Sequence, residues 1–438
     1  MSKLSLLAAL VTLTTACTIT TSEVPDDGDS LSGVAADSSF RFPAEWEPHE
    51  SIWLSWPTYE NVKGRPSQTV LMDIIRALEG HVKVDILAGT KADVALIQSE
   101  LQASGVPTSH VRMHVVQHND IWIRDTGANF LKNGLGELKI VDLNFNTWGY
   151  EATTSKNSLL EENVDKAIAA EMKLKTVQTK VVTEGGALEF NGQGTLISTE
   201  HVALQRNPGM TLATIEAEYK RLYNVKKVIW MKRGIMDDDQ TFEGPLPGGL
   251  YTTITTGGHV DEFVRFIAKS TVLLAKPTAE ERANNPIAAE SGRRLDENRA
   301  ILARQMTESG KPITIIDMPM ADQLVETMKP GDGVYDYIAE LDYKDGSTFP
   351  KGKPIRAILA SSYLNYIVTN GVVIAPKYFK AGRPESTRLK DAEAKRKLEE
   401  AFPGRKVVQV DAENINLGGG GLHCITQQQP ATKNAARP

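Results

Sequence analysis

The chain has 438 residues, 41% of them hydrophobic and 24% charged, with a formal net charge of −6. That length and balance suit one large folded unit or two to three small ones, and the negative charge argues against nonspecific nucleic-acid binding. Its two cysteines, Cys17 and Cys424, exclude a disulfide-rich scaffold and the zinc patterns that need several thiols.

Residues 1–17 carry Lys3, an apolar core from Leu4 to Leu13, and a small-residue region ending at Cys17. The stretch is too short to span a bilayer. It resembles a bacterial lipoprotein signal, whose cysteine becomes the lipidated first residue of the mature protein, although Thr14 stands where leucine is usual. The expectation is an exported, lipid-anchored protein of the cell envelope, with a soluble secreted form as the alternative. No later segment holds eighteen uncharged apolar residues, so the body of the chain reads as soluble and membrane contact is expected only through that anchor. Residues 18–40, rich in Thr, Ser, Asp and Gly, read as a flexible tether.

Large apolar residues from Ser51 to Trp56 predict a strand closed by Pro57. Helical and strand patterns then alternate. Helices are expected over Gln68–Glu79, Lys91–Ala103, Ser158–Met172, Leu212–Leu222 and Leu389–Phe402. Strands are expected over Val82–Leu87, Val111–Val116, Val177–Val182, Lys227–Met231, Pro312–Asp317, Ile355–Leu359, Tyr366–Ala375 and Lys406–Val410. Thr278–Ser309 reads as mostly helical, broken at Pro286 and Gly292, and residues 431–438 as a frayed tail. One α/β domain over 41–430 is the simplest reading, and alternation alone suggests a doubly wound parallel sheet.

Four stretches could carry chemistry. Gly418–Gly421 precedes Leu422, His423 and Cys424, so backbone can approach a ligand closely beside a lone thiol. The run lacks the spacing of a phosphate-binding loop. Asn119–Gly127 gathers Trp122, Arg124 and two carboxylates, either an Arg–Asp pair closing a turn or a carboxylate aimed at a cation beside an aromatic wall. Thr183–Gly186 sets Glu184 before two glycines, often no more than a turn. In Gly257–Phe263, an extended backbone would put His259 and Asp261 on one face, fit for acid–base work or for a metal. The His-x-Glu and Pro-Cys-x-x-Cys pattern of zinc deaminases is absent, which counts against a metal-bound water. A Cys–His–carboxylate set fits nucleophilic catalysis.

In order, Phe42–Glu50, Trp122–Gly127, Glu184–Gly186, Gly258–Asp261 and Gly418–Gln428 resemble the agmatine deiminase and bacterial peptidylarginine deiminase family, and Ala360–Asn365 and Phe402–Arg405 agree. The resemblance implies a pentein fold, a five-bladed α/β propeller with the active site on its axis. It implies hydrolysis of a guanidinium group to a ureido group with release of ammonia, without cofactor or metal. Cys424 would attack the guanidinium carbon, and His259 would protonate the departing ammonia and then activate water. Asp125 and Asp261 would hold guanidinium nitrogens, Glu184 would orient His259, and Trp122 would wall the pocket. Gly420 and Gly421 would bring backbone to the substrate. Agmatine or a similar small cation is the leading substrate. Arginine in peptides or proteins is the alternative. A catalytically silent guanidinium-binding pentein and an amidinotransferase are the other readings. Thr241–Tyr251 intervenes where agmatine deiminases run more directly from their Asp-rich turn into Gly-His-Val-Asp, and would reshape the pocket mouth.

Overall fold

The computed structural model describes residues 39–432. The signal-like residues 1–17 with Cys17, tether residues 18–38 and tail residues 433–438 lie outside the described residues.

Helices form where apolar residues recur at helical spacing, and they bury that face. Gln68–Leu78 buries Val70, Leu71, Ile74, Ile75 and Leu78, a stripe at i, i+3 and i+4. Lys91–Ala103 begins where the Thr90 hydroxyl accepts the Asp93 N–H. The charged helix Glu385–Ala401 buries only Thr387, Asp391, Ala394 and Leu398.

Among the described residues the strands do not make one doubly wound sheet; they make six small ones. Five of these repeat one pattern: an antiparallel pair, a helix, then a strand returning parallel to the second. Asn129–Asn133 and Leu138–Val141 pair antiparallel, and Lys175–Val177 returns parallel. Glu189–Phe190, Thr195–Thr199 and Lys227–Met231 repeat this. So do Val264–Ala268, Thr271–Lys276 and Thr314–Pro319, and Ile367–Thr369, Val372–Lys377 and Lys406–Asp411. The fifth unit joins distant parts of the chain: Gln427–Pro430 pairs antiparallel with His49–Ser55, which runs parallel to Lys83–Ala88. The intervening helices are Lys156–Met172, Leu212–Tyr223, Pro286–Leu302, Glu385–Ala401 and Gln68–Leu78. A sixth sheet, of Tyr251–Thr252, Ile355–Ile358 and Val325–Met328, stands outside the repeat.

Several local expectations are corrected. Only Lys175–Val177 of the region around Val177–Val182 is a strand, and the Val182 N–H goes instead to the Asn207 side chain at 2.8 Å. Tyr366–Ala375 is two strands turned at Asn370–Gly371, where Gly371 has φ 71°; Asn-Gly supplies the positive φ such a tight hairpin needs. The break expected at Pro286 is present, between the helices Ala279–Asn284 and Pro286–Leu302, but Gly292 does not break the second. Arg282 lies over that glycine, where a Cβ would meet its Nε at 2.7 Å. Phe40, read as the end of the tether, is buried and pairs with Asn133. Ala431, read as tail, is buried and donates its N–H to the Pro48 carbonyl at 2.9 Å.

Candidate active site

Each of the five units contributes the segment just ahead of its first strand. Trp122–Asp125 precedes Asn129–Asn133, Glu184–Gly186 precedes Glu189–Phe190, and His259–Glu262 precedes Val264–Ala268. Asn365 precedes Ile367–Thr369, and Cys424 precedes Gln427–Pro430. These segments meet. A Cβ on Gly186 would lie 2.6 Å from His259 Nδ1, 3.1 Å from Asp261 Oδ2 and 3.2 Å from Asp125 Oδ1. Cys424 Sγ lies 3.7 Å from both Asp261 Oδ2 and Glu262 Oε1. A Cβ on Gly420 would strike Trp122 at 2.8 Å and Cys424 Sγ at 3.1 Å. One on Gly421 would strike Asn365 Oδ1 at 2.5 Å. The glycines are therefore explained by close approach, and at Gly186 the missing side chain lets His259, Asp261 and Asp125 pack against the backbone.

The segment around His259 is not extended. Val260–Glu262 forms a 3-10 turn, and the Asp238 carboxylate holds its start by accepting the Thr256, Gly258 and His259 N–H groups. His259 and Asp261 still converge, through the turn rather than through strand alternation. Arg124 does not pair with Asp125. Its guanidinium goes to Glu45 Oε1 at 3.3 Å and to the side-chain oxygens of Gln427 and Gln428 at 2.9 and 2.7 Å.

Every ionisable group here is buried and partnered on at least one side. His259 Nε2 donates to Glu184 Oε2 at 3.3 Å, and its Nδ1 lies 3.9 Å from Asp125 Oδ2 with no hydrogen-bond partner. Burial alone would lower the His259 imidazole, but Asp125, Glu184 and Asp261 raise it to about 9. Burial would raise Glu184, yet Arg206 and His259 hold it down at about 2, and Arg206 Nε donates to its Oε1 at 2.5 Å. Asp125 accepts the Trp148 indole N–H and the Gly186 N–H, both at 2.8 Å, and burial raises its pKa. Burial would likewise raise Asp261, but His423, 2.7 Å away, brings it below the usual carboxylate range. Asp261 Oδ1 has no partner. Burial, then Asp261, Glu262 and Asp125, pushes the Cys424 thiol well up.

The site thus presents a protonated imidazole, a neutral thiol, several carboxylates and one orphaned carboxylate oxygen. An unpaired buried acceptor is costly unless a donor arrives. A compact cation bearing N–H groups on several sides matches these acceptors. Asp261, Glu262 and Cys424 also bring ligand atoms within 4.8 Å of one another, a spacing open to a metal ion.

The sequence matches the Porphyromonas-type peptidyl-arginine deiminase family over residues 41–430. The chain belongs to this family. The agmatine deiminase of Pseudomonas aeruginosa strain LESB58 is 32% identical over 403 residues, covering 90% of this chain and 97% of the relative. That of Ectopseudomonas mendocina strain ymp is 31% identical over 403 residues, covering 90% and 97%. The solved agmatine deiminase of Enterococcus faecalis superposes with a TM-score of 0.70 at 25% identity, covering 92% of this chain and 99% of that one. The fold is therefore the α/β pentein fold of this deiminase family.

Sequence reasoning missed several residues of the site. Arg206 and Trp148 lie in no motif, and Glu45 and Asn365 lie within the motifs Phe42–Glu50 and Ala360–Asn365 without a pattern that marks them as partners of distant groups. Trp148 sits at φ 51° after Thr147 at φ 52°, a conformation that bulky and β-branched residues rarely adopt. It is held by its indole bond to Asp125 and by Gln240 Nε2, which donates to the Trp148 carbonyl at 2.6 Å. His423 was noticeable only as a neighbour of Cys424. It bridges Asp261 Oδ2 and Glu45 Oε1 at 2.7 Å each. The intervening residues 241–251 begin with a turn, Thr241–Glu243, and end in the sixth sheet. Phe242 packs edge-on against Tyr150, with ring centroids 4.9 Å apart, two residues from Trp148.

Proposed function

We propose that this protein hydrolyses the guanidinium group of agmatine, or of a similar small cation, to a ureido group with release of ammonia. The orphaned Asp261 Oδ1, buried in the chamber that holds the Cys424 thiol, carries this reading. The guanidinium would lie between Asp125 and Asp261, donating charge-assisted hydrogen bonds to both. Its charge compensates the carboxylates that keep the thiol protonated, so a cation enters as a proton leaves and Cys424 becomes a thiolate. The sulfur attacks the guanidinium carbon. The C–N bond breaks with a proton from His259, releasing ammonia and leaving a thiouronium on Cys424. His259, now neutral, takes a proton from water as that water attacks the same carbon. The C–S bond then breaks and the ureido product departs. Glu184 orients His259 and sustains its charge, Trp122 walls the chamber, and Gly420 and Gly421 bring backbone to the reacting centre. The five units would close as propeller blades around this point.

The relatives named agmatine deiminase and the burial of Cys424 and His259 favour a small substrate. The family's peptidyl-arginine name and the signal-like leader support the second reading, conversion of protein arginine to citrulline. Ammonia release from agmatine, free arginine and an internal-arginine peptide separates them. Cys424→Ala abolishes release while the fold persists, and turnover by the pure variant would remove the nucleophile. Export with lipidation of Cys17 is part of the proposal; unchanged membrane fractionation of Cys17→Ser would refute it.

A further inference from the structure

Asp261 uses its two oxygens unequally. Its Oδ2 lies 2.7 Å from His423 Nδ1, while its Oδ1 is buried with no partner. His423 is buried as well, and its other nitrogen, Nε2, lies 2.7 Å from Glu45 Oε1. Burial opposes the charge on Glu45, yet Arg265, His423 and Arg124 hold its carboxyl well below the usual range. Burial opposes the charge on Asp261 too, and His423, then His259 and Arg265, keep that carboxyl below the usual range. An ionised carboxylate only accepts hydrogen bonds, so a ring nitrogen facing one must carry the proton. With such a group on each side, both nitrogens of His423 donate. The backbone beneath the ring is held separately: the Asn365 side-chain oxygen accepts the His423 N–H at 2.7 Å, and the His423 carbonyl accepts the Arg124 Nε–H at 3.3 Å.

We propose that His423 is a positioning residue: an imidazolium anchored on Glu45 that pins Asp261 Oδ2 and so leaves Asp261 Oδ1 to the guanidinium group of the substrate. This rests on the guanidinium-binding role of Asp261 in the function proposed above. A carboxylate turns easily about its Cβ–Cγ bond, a torsion with a broad, two-fold preference. The Nδ1–H bond removes that freedom before substrate arrives, so the acceptor is preorganised. The anchor is itself fixed, because Glu45 accepts from Arg265 Nη2 through Oε2 and from Arg124 Nη1 at 3.3 Å through Oε1. Both ring protons of His423 are engaged by carboxylates, which leaves the proton transfers of the reaction to His259. The residue before the nucleophile thus aims the group that holds the substrate.

Two amide replacements separate the two ring nitrogens. The asparagine amide is built on Cγ, the atom that carries Nδ1, and the glutamine amide lies one carbon further out, on the Nε2 side. His423→Asn therefore keeps a donor for Asp261 and gives up Glu45, whereas His423→Gln keeps a donor for Glu45 and gives up Asp261. Agmatine binding is measured by calorimetry at neutral pH on the full chain carrying Cys424→Ala, so that the bound ligand persists. His423→Gln is expected to weaken binding about 10–100-fold, the range for a lost hydrogen bond to a charged group, and His423→Asn to recover most of that loss. With Cys424 intact, the same order should appear in kcat/KM, with KM carrying most of the change. A merely structural ring predicts the reverse order, since glutamine fills more of its volume. A folded His423→Gln chain that binds agmatine no more weakly than the His423→Asn chain overturns the proposal. Nitrogen NMR of the ring-labelled parent, assigned through the His423 backbone, reads the protons directly: two protonated ring nitrogens are expected at neutral pH, and a single one overturns the proposal even where neither variant folds. That spectrum needs no turnover, so an inactive parent would refute the proposed function while leaving the test of His423 decisive.

Discussion

Gly186→Ala tests whether the close packing of His259, Asp261 and Asp125 against Gly186 sets the geometry the reaction uses. Gly186 does not have positive φ, so alanine meets no backbone penalty there. Its Cβ would lie 2.6 Å from His259 Nδ1, and carbon–nitrogen contacts below 3.0 Å are essentially never seen. Reaching an ordinary 3.4 Å requires about 0.8 Å of movement, 3.4 minus 2.6. The imidazole has little freedom, since Glu184 holds its far nitrogen. Asp261 Oδ2 and Asp125 Oδ1 must each also yield by a few tenths of an ångström. Displacing a catalytic group by about 1 Å costs on the order of 100-fold in rate, and overpacking a rigid site costs about 1–3 kcal/mol of stability. The expected outcome is a loss of about 100-fold in kcat/KM for ammonia release, with a lowered thermal midpoint by circular dichroism. Gly134→Ala is the control, because a Cβ there meets nothing within 4 Å. A Gly186→Ala enzyme within threefold of the parent, beside an equally active control, would refute the need for His259 to sit where it does.

Because His259 is raised to about 9, it stays protonated through neutral pH and loses its proton near that value. The rate should therefore fall on an alkaline limb near pH 9, read from kcat/KM against pH. Glu184→Gln removes a charge that raises His259, so the limb moves to lower pH; a limb unmoved by that change would uncouple the two residues. Arg206→Met leaves Glu184 buried without its cation, since their Nε–Oε1 contact is 2.5 Å and both are almost wholly inaccessible. Breaking such a pair from one side costs about 3–5 kcal/mol. Urea unfolding should show a loss of unfolding free energy of that size, and an unchanged value would mean that Glu184 is stabilised elsewhere.

Much of this site was legible locally because its motifs are short and contiguous. Trp122–Gly127, Glu184–Gly186, Gly258–Asp261 and Gly418–Cys424 each keep a reactive group beside a turn or glycine, and the structure brings all four together. Helices were readable for a similar reason: Gln68–Leu78 and Lys91–Ala103 carry their period or their cap in a single window. The Asn370–Gly371 hairpin was missed, because the apolar residues on either side of that turn pair read as one continuous strand.

The sequence by itself determined which residues can do chemistry, where most helices and strands lie, and the family to which the chain belongs. Only the tertiary structure decided that the strands form five repeated small sheets rather than one large one, because pairing between Gln427–Pro430 and His49–Ser55 is set by contacts across the chain. It alone decided that Arg124 serves Glu45, that Arg206 serves Glu184, and that Asn365 reaches the sulfur. Such partnerships arise where buried charges and amides must be satisfied by whatever group folding brings within reach, and no local window of sequence holds that information.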